Sequence, residues 1–479
     1  MRISRRTGDF SGWMEKVIAG TASANISAMR EKIVVIGGNA AGMTAASRAK
    51  RLEPDLSLLI LEAGRYISYS ICGVPRYVTG GLGQASELTA FNPQSLKQER
   101  GIEARTRVRV EEIWPGRRML SARDLDSGEA FRESYDRLVL AAGYVPRRPD
   151  VEGCQLDNVF TVSRLEHGEH IRRAVQTGRT RRAAVIGGGY IGLMMAEALR
   201  QSGLQVVLLE REAHIQPNLD DDLCQVLEEE LSRQGVELRL RTPVRRLCGE
   251  GRVEAVEASG ERLPVDLALI DVGVAPNIEL ASRAGITLGV SGAIQVDPRG
   301  CTDVHGIYAA GNCAETRHLV SRRPLFSTLG TTAAKQGRVV GENLAGLRST
   351  FRGTLETSVE RIFNLAAART GLTLRQALQC GFEGEALTVK ARDRAAYMPE
   401  SKTLRVRLVW EKRSGRLLGG QMVGPHASAK RIDTLVAALS AEMKIDDLAQ
   451  LDLAYAPPFG TLWDPIQIAA NQALKRLRL

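Results

Sequence analysis

An α/β fold with two Rossmann-like dinucleotide-binding units is predicted by three observations. A β-branched strand, a glycine turn and an alanine-rich helix occur twice, at "KIVVIGGNAAGMTAASRAKRL" and at "RRAAVIGGGYIGLMMAEALRQSG". Each is followed by a second apolar strand ending in an acid, "SLLILE" at Glu62 and "LQVVLLE" at Glu210. The third is length: 479 residues exceed what one hydrophobic core holds, so two or three domains are expected.

Taken in order, the leading residues "MRISRRTGDFSGWMEKVIAGTASANISA" are basic but lack the continuous apolar stretch of a signal peptide. Met29 stands directly before "REKIVVIGG", so residues 1–29 read as a disordered extension or a mis-set start. In the first βαβ unit Gly37 makes the tight turn, Gly38 brings backbone to the ligand, and Gly42 lets helix and strand approach. The helix N-terminus then faces a pyrophosphate, and Glu62 is placed for the ribose hydroxyls. Asn39 stands where the middle glycine of the motif belongs.

"YDRLVLAAGYVPRRP" follows as a strand with a small-residue turn at Ala141, Ala142 and Gly143. The second unit carries the complete motif at Gly187, Gly189 and Gly192, with Tyr190 and Ile191 opening the helix. Glu210 suits the 2′-hydroxyl of NADH, while Arg211 beside it keeps NADPH as the alternative. "VDLALIDVGVAPNIEL" brings Gly273 to the end of that unit, and "GIYAAGNCAE" is a strand ending in Gly311 and Asn312. Two such units imply two dinucleotides, and hydride transfer from a nicotinamide to a flavin is the chemical reason to hold both.

Seven cysteines, at 72, 154, 224, 248, 301, 313 and 380, form no C-x-x-C pair and no cluster with histidines. That argues against a metal site and against a disulfide framework, and favours a reducing cytoplasm. The formal charge is +10, but the basic residues are dispersed and aromatics are few, which argues against nucleic acid. No apolar run approaches a membrane span. Cys72, in "SYSICGVPRYVTGG", could by itself pack, bind metal, pair or attack. The two nucleotide turns supply a reason for a reactive thiol, ionising near neutral pH with help from adjacent backbone N–H groups and the flavin's own dipoles.

Together these segments resemble the FAD- and NAD(P)H-dependent pyridine nucleotide disulfide oxidoreductases, from about Arg30 to Leu479. The resemblance implies an FAD-binding domain from 30–150 and 275–350, an NAD(P)H-binding domain from 151–274, and an α+β dimerisation domain from 351–479. FAD would lie at Gly37, Gly38, Gly42, Glu62, Ala142, Gly143, Gly311 and Asn312. Asn312 replaces the family's aspartate, keeping an acceptor but losing the charge. NADH would lie at Gly187, Gly189, Tyr190, Ile191, Gly192, Glu210 and Gly273. Ser68, Tyr69, Cys72, Gly73 and Pro75 match the single-cysteine branch of coenzyme A disulfide reductases, NADH oxidases and peroxidases, and persulfide reductases. Five residues either side of Cys72 stand Ile67 and Tyr77, so the dithiol pair of other branches is absent.

The resemblance also implies a homodimer in which tyrosines of the opposite subunit approach the cysteine, here Tyr397 and Tyr455. Met398 occupies the place of a second family tyrosine. Arg48, Lys50 and Arg51, together with Ser68, are the candidates for substrate contact, the basic side chains for coenzyme A phosphates. Ala40 stands where the oxidase and peroxidase branch carries a histidine, and Met194 where the family has a glutamate, with Glu197 retained one turn later. The expected function is FAD-dependent reduction of a small disulfide or persulfide, coenzyme A disulfide first, through a mixed disulfide at Cys72. An NADH oxidase or peroxidase cycling through sulfenic acid is the alternative, and a nucleotide-sensing flavoprotein with little turnover is the reading from another class.

Overall fold

The computed structural model describes residues 31–477. The extension expected at residues 1–29 lies outside the described residues. The rest builds from the runs read above. Val34 and Val35 have no exposed surface, as expected of a parallel strand buried on both faces.

The first five-stranded sheet runs Ile307–Ala309, Arg137–Leu140, Lys32–Ile36, Ser57–Glu62, Glu103–Thr106, all parallel. The second runs Val236–Arg239, Gln205–Leu209, Arg182–Ile186, Leu267–Ile270, Val159–Phe160, again all parallel. In each, the strand that enters a glycine turn is central. Each parallel sheet has a three-stranded antiparallel companion, Val108–Trp114 to Ala130–Ser134 in one case and Val244–Cys248 to Glu261–Pro264 in the other. The chain exits of the two units pair with each other, Tyr144–Pro146 antiparallel to Val274–Pro276. This ribbon holds the strand ends that carry the two turns side by side.

Helix Gly330–Leu344 crosses helix Ala40–Leu52 with almost no space between backbones. A Cβ at Gly337 would lie 2.3 Å from the Ala41 carbonyl oxygen, and one at Gly341 would lie 2.5 Å from that of Ala45. The late-sequence helix is thereby locked onto the first unit.

The C-terminal sheet is antiparallel, ordered Ser358–Ile362, Leu365–Gly371, Leu417–Pro425, Thr403–Glu411, Gly384–Arg392. Helices Ile432–Ser440 and Pro465–Leu477 pack against it over a core centred on the fully buried Trp410. One further core joins all three parts. Val74, Tyr77 and Val78 from the cysteine segment meet Leu165 and Ile171, Leu193 of the second turn's helix, and Ile362 and Val423 of the C-terminal sheet. The cysteine segment is thus a wedge between both nucleotide units and the C-terminal domain.

Candidate active site

The first turn is shaped by what it leaves out. Gly37 adopts φ +108°, and a Cβ there would lie 2.2 Å from the Ala141 carbonyl oxygen. Gly42 sits so close beneath it that a Cβ would lie 2.0 Å from the Gly37 oxygen. Glu62 accepts hydrogen bonds from the N–H of Gly38 at 2.8 Å and of Gly64 at 2.7 Å, which fixes its carboxylate at the strand end. Ala142, Gly143 and Gly311 close the opposite side. The Gly311 N–H donates to Gln336 at 2.9 Å, and Asn312 donates its side-chain amide to the Ser327 carbonyl at 2.8 Å. Helix Ala40–Leu52 has no acidic residue in its first turn and no side-chain cap, so its N-terminal N–H groups are open to an anion. Close-approach glycines, open helix N–H groups and an anchored carboxylate together fit a dinucleotide.

The second turn repeats this geometry. Gly187 also has φ +108°, with a Cβ position 2.0 Å from the Asp271 carbonyl oxygen. Glu210 accepts from the Gly188 N–H at 2.7 Å, as Glu62 does from Gly38. Gly273, at φ +95°, ends the unit. Tyr190 and Ile191 open helix Tyr190–Gln201. Here one group has no counterpart in the first site: the Asp271 carboxylate accepts from the Gly192 N–H at 2.6 Å.

Cys72 is delivered to both turns by its own segment. Ser68, at φ +51°, donates its N–H to the Gly38 carbonyl at 2.8 Å, and its own carbonyl accepts from Ala90 at 2.8 Å. The 3₁₀ turn Ile71–Gly73 and helix Val74–Val78 follow, and Val74 packs where a Cβ at Gly168 would lie 2.8 Å away. The Tyr190 hydroxyl, reaching over from the second turn, donates to the Val359 carbonyl at 3.5 Å and lies near enough to the Cys72 sulfur to favour its thiolate. Tyr144 also faces the sulfur, its phenol pushed up to about 12 by burial and by Cys72 and Asp271. Burial pushes the Cys72 thiol itself up, while Tyr190 and its own backbone N–H pull it down. Within this chain partial burial outweighs the hydrogen bonds that favour a thiolate.

Among the described residues Cys72 is the one exposed cysteine. Cys224, Cys248 and Cys313 are buried, with the thiols of Cys224 and Cys313 pushed up to about 12 and about 11. Tyr397 and Tyr455 are exposed on the C-terminal domain and are not among the groups facing the sulfur within this chain. Arg48 is ion-paired with Glu342 at 2.7 Å, and Lys50 donates to the carbonyls of Pro54 and Leu56, so both are engaged inside the fold. Arg51 is exposed. Glu197 is buried and accepts from the Phe363 N–H and from Arg361, each at 2.8 Å, tying the second turn's helix to the C-terminal sheet.

Sequence reasoning missed three groups here. Tyr144 and Asp271 each stand at a strand exit beside a turn glycine, a position whose side chain borders the ligand, and that signal was readable. Glu360 carried no signal. It is buried behind Tyr190, bonded at one oxygen to Gln216, with no partner at the other, and burial pushes its carboxyl up to about 8.

A family model described as pyridine nucleotide-disulphide oxidoreductase matches residues 31–337, and one for the dimerisation domain of the same enzymes matches residues 361–464. The chain is 36% identical over 444 residues to an "NAD(P)H coenzyme A polysulfide/persulfide reductase" of Pyrococcus horikoshii, covering 92% of this chain and 98% of that one. It is 33% identical over 447 residues to an "NADH oxidase" of Methanocaldococcus jannaschii, covering 93% and 99%. The solved NAD-dependent persulfide reductase from A. fulgidus superposes with a TM-score of 0.90 at 36% identity, over 93% of this chain and 83% of that one.

Proposed function

The chain belongs to the pyridine nucleotide-disulphide oxidoreductases, and within that family we propose that it reduces a coenzyme A disulfide or persulfide through Cys72. It is an oxidoreductase whose cofactors are FAD and NAD(P)H. We assign FAD to the first turn and NADH to the second, because Glu210 is an acid where a 2′-phosphate would need a cation. Bound FAD would supply the two-electron link between NADH and the disulfide formed at Cys72.

The observation that carries the reading is convergence. The single exposed cysteine is tied by Ser68 to the first turn and touched by Tyr190 from the second. The Cys72 thiolate attacks one sulfur of the substrate, forming a mixed disulfide and releasing the other half, which takes up a proton. Two electrons and a second proton then cleave the mixed disulfide, freeing the bound half as a thiol and restoring Cys72. Tyr190, beside the sulfur, favours the thiolate.

The exposed apolar residues Phe459, Leu462 and Trp463, with Tyr397 and Tyr455, support a homodimer through the C-terminal domain. Light scattering of the purified protein tests that. The reducing cytoplasm suits a lone reactive thiol. Among the described residues no helix is long and apolar enough to cross a membrane.

Anaerobic titration with NADH tests the redox role. Wild type first treated with coenzyme A disulfide, which leaves Cys72 as a mixed disulfide, should take up two electrons beyond those held by the flavin, and Cys72→Ser treated alike should lose them together with about 10³-fold or more of disulfide turnover. Equal electron uptake by the variant would sink the reading. The NADH oxidase among its relatives favours a second reading, oxygen or peroxide reduction through a sulfenic acid. Comparing kcat/KM for coenzyme A disulfide, coenzyme A persulfide, peroxide and oxygen decides between them.

A further inference from the structure

At the first turn the residue whose carbonyl faces the tight glycine is Ala141, and at the second it is Asp271. The side chain at that position points beneath the turn. The nearer Asp271 oxygen lies 3.4 Å from where a Cβ would stand on Gly189 and 3.3 Å from where one would stand on Gly192, and it accepts from the Gly192 N–H. A carboxylate therefore already occupies part of the positive helix end that receives a pyrophosphate.

The groups around it reinforce the conflict. Glu210 faces it from the end of strand Gln205–Leu209, Tyr144 faces it from the ribbon strand, and Gly192 supplies its hydrogen bond from the helix. No basic side chain is among them. Burial and the charge of Glu210 push the Asp271 carboxyl above the usual aspartate range, so protonation relieves the conflict.

We infer that Asp271 sets how tightly the second turn holds its dinucleotide: the ionised carboxylate repels the bound pyrophosphate, so affinity falls as pH rises. The inference rests on the assignment of NADH to this turn, and it is independent of which sulfur substrate Cys72 meets. Its consequence is a site that releases spent nucleotide readily, a step that limits turnover in many enzymes.

ADP-ribose is the probe, because it carries the pyrophosphate, lacks the nicotinamide and cannot reduce the flavin. Calorimetric titration of the FAD-loaded enzyme should show its affinity falling about threefold or more as pH rises from the ordinary aspartate range, about pH 4, to about pH 8.5. In Asp271→Asn, which keeps an acceptor for Gly192 without the charge, the profile should be flat and binding at the upper pH tighter than wild type. Asp271→Ala should match it. A flat wild-type profile, or an unchanged fall in the asparagine variant, would overturn the inference. Absence of ADP-ribose binding in all three proteins at every pH would instead overturn the placement of the dinucleotide at this turn.

Discussion

The two glycine turns have the same backbone and different electrostatics. Gly37 and Gly187 share φ +108°, and Glu62 and Glu210 accept from equivalent N–H groups, at 2.8 Å and 2.7 Å. Around the first turn, Glu62 is the carboxylate that the helix end must share with a ligand, and Ala141 is neutral. Around the second, Asp271 adds a carboxylate beneath the turn, and Glu360 lies behind Tyr190. A resident cofactor calls for a site without opposing charge, whereas a nucleotide that arrives and leaves each cycle tolerates one. One βαβ geometry can therefore serve retention or exchange, depending on one or two side chains at the strand exits.

The largest effect should come from removing the shared geometry. Gly37→Ala or Gly187→Ala puts a Cβ about 2 Å from a carbonyl carbon–oxygen group at a backbone angle hostile to side chains, at a cost of about 3 kcal/mol or more. If the turns divide labour as assigned, Gly37→Ala purifies colourless, while Gly187→Ala stays yellow and loses reduction by NADH. Visible spectra before and after NADH separate the two.

Next in size is a transplant. Ala141→Asp gives the first turn the carboxylate of the second and should weaken FAD binding by about tenfold or more, read from flavin release on dilution. An unchanged FAD affinity would mean that this position does not distinguish the sites.

Glu360 tests the acid peculiar to the second site. An unfolded glutamate releases its proton near 4.5, while in the fold Glu360 holds it up to about pH 8. Between those values the folded chain binds a proton that the unfolded chain has lost, so this group's contribution to stability falls as pH rises through that window and is level above it. Glu360→Gln should raise the melting temperature by roughly 3–6 °C at pH 8 and leave it unchanged below pH 4.5. A uniform shift at both pH values would point to packing instead.

The smallest effect concerns the link between the sites. Tyr190→Phe removes the hydroxyl that favours the Cys72 thiolate, so alkylation of Cys72 by iodoacetamide at pH 7 should slow about two- to threefold. A faster rate would show that Tyr190 shields the sulfur more than it stabilises the anion.

Much of this was legible in residues 31–350 before any fold was known, because its causes are local. A strand that must turn onto a helix end needs a left-handed glycine, and Gly37 and Gly187 announce it. The acids at the strand ends follow from period and position. Cys72 stood out because its partner positions hold Ile67 and Tyr77. Charge pairing across the fold was not legible in the same way. Arg48 and Lys50 read as candidates for phosphate contact on a helix face, and the fold pairs Arg48 with Glu342 from a helix late in the chain and Lys50 with nearby carbonyls, partners that no local pattern announces.

The sequence by itself determined the two turns, their order and the lone thiol, since each depends on backbone conformation and residue type within a few positions. The tertiary structure alone decided which groups meet at the sulfur and which acids stay protonated. Tyr190 comes from a helix, Tyr144 and Glu360 from two strands, and Asp271 from the exit of a third. Burial and neighbouring charge, which set a proton's affinity, exist only once those elements have packed.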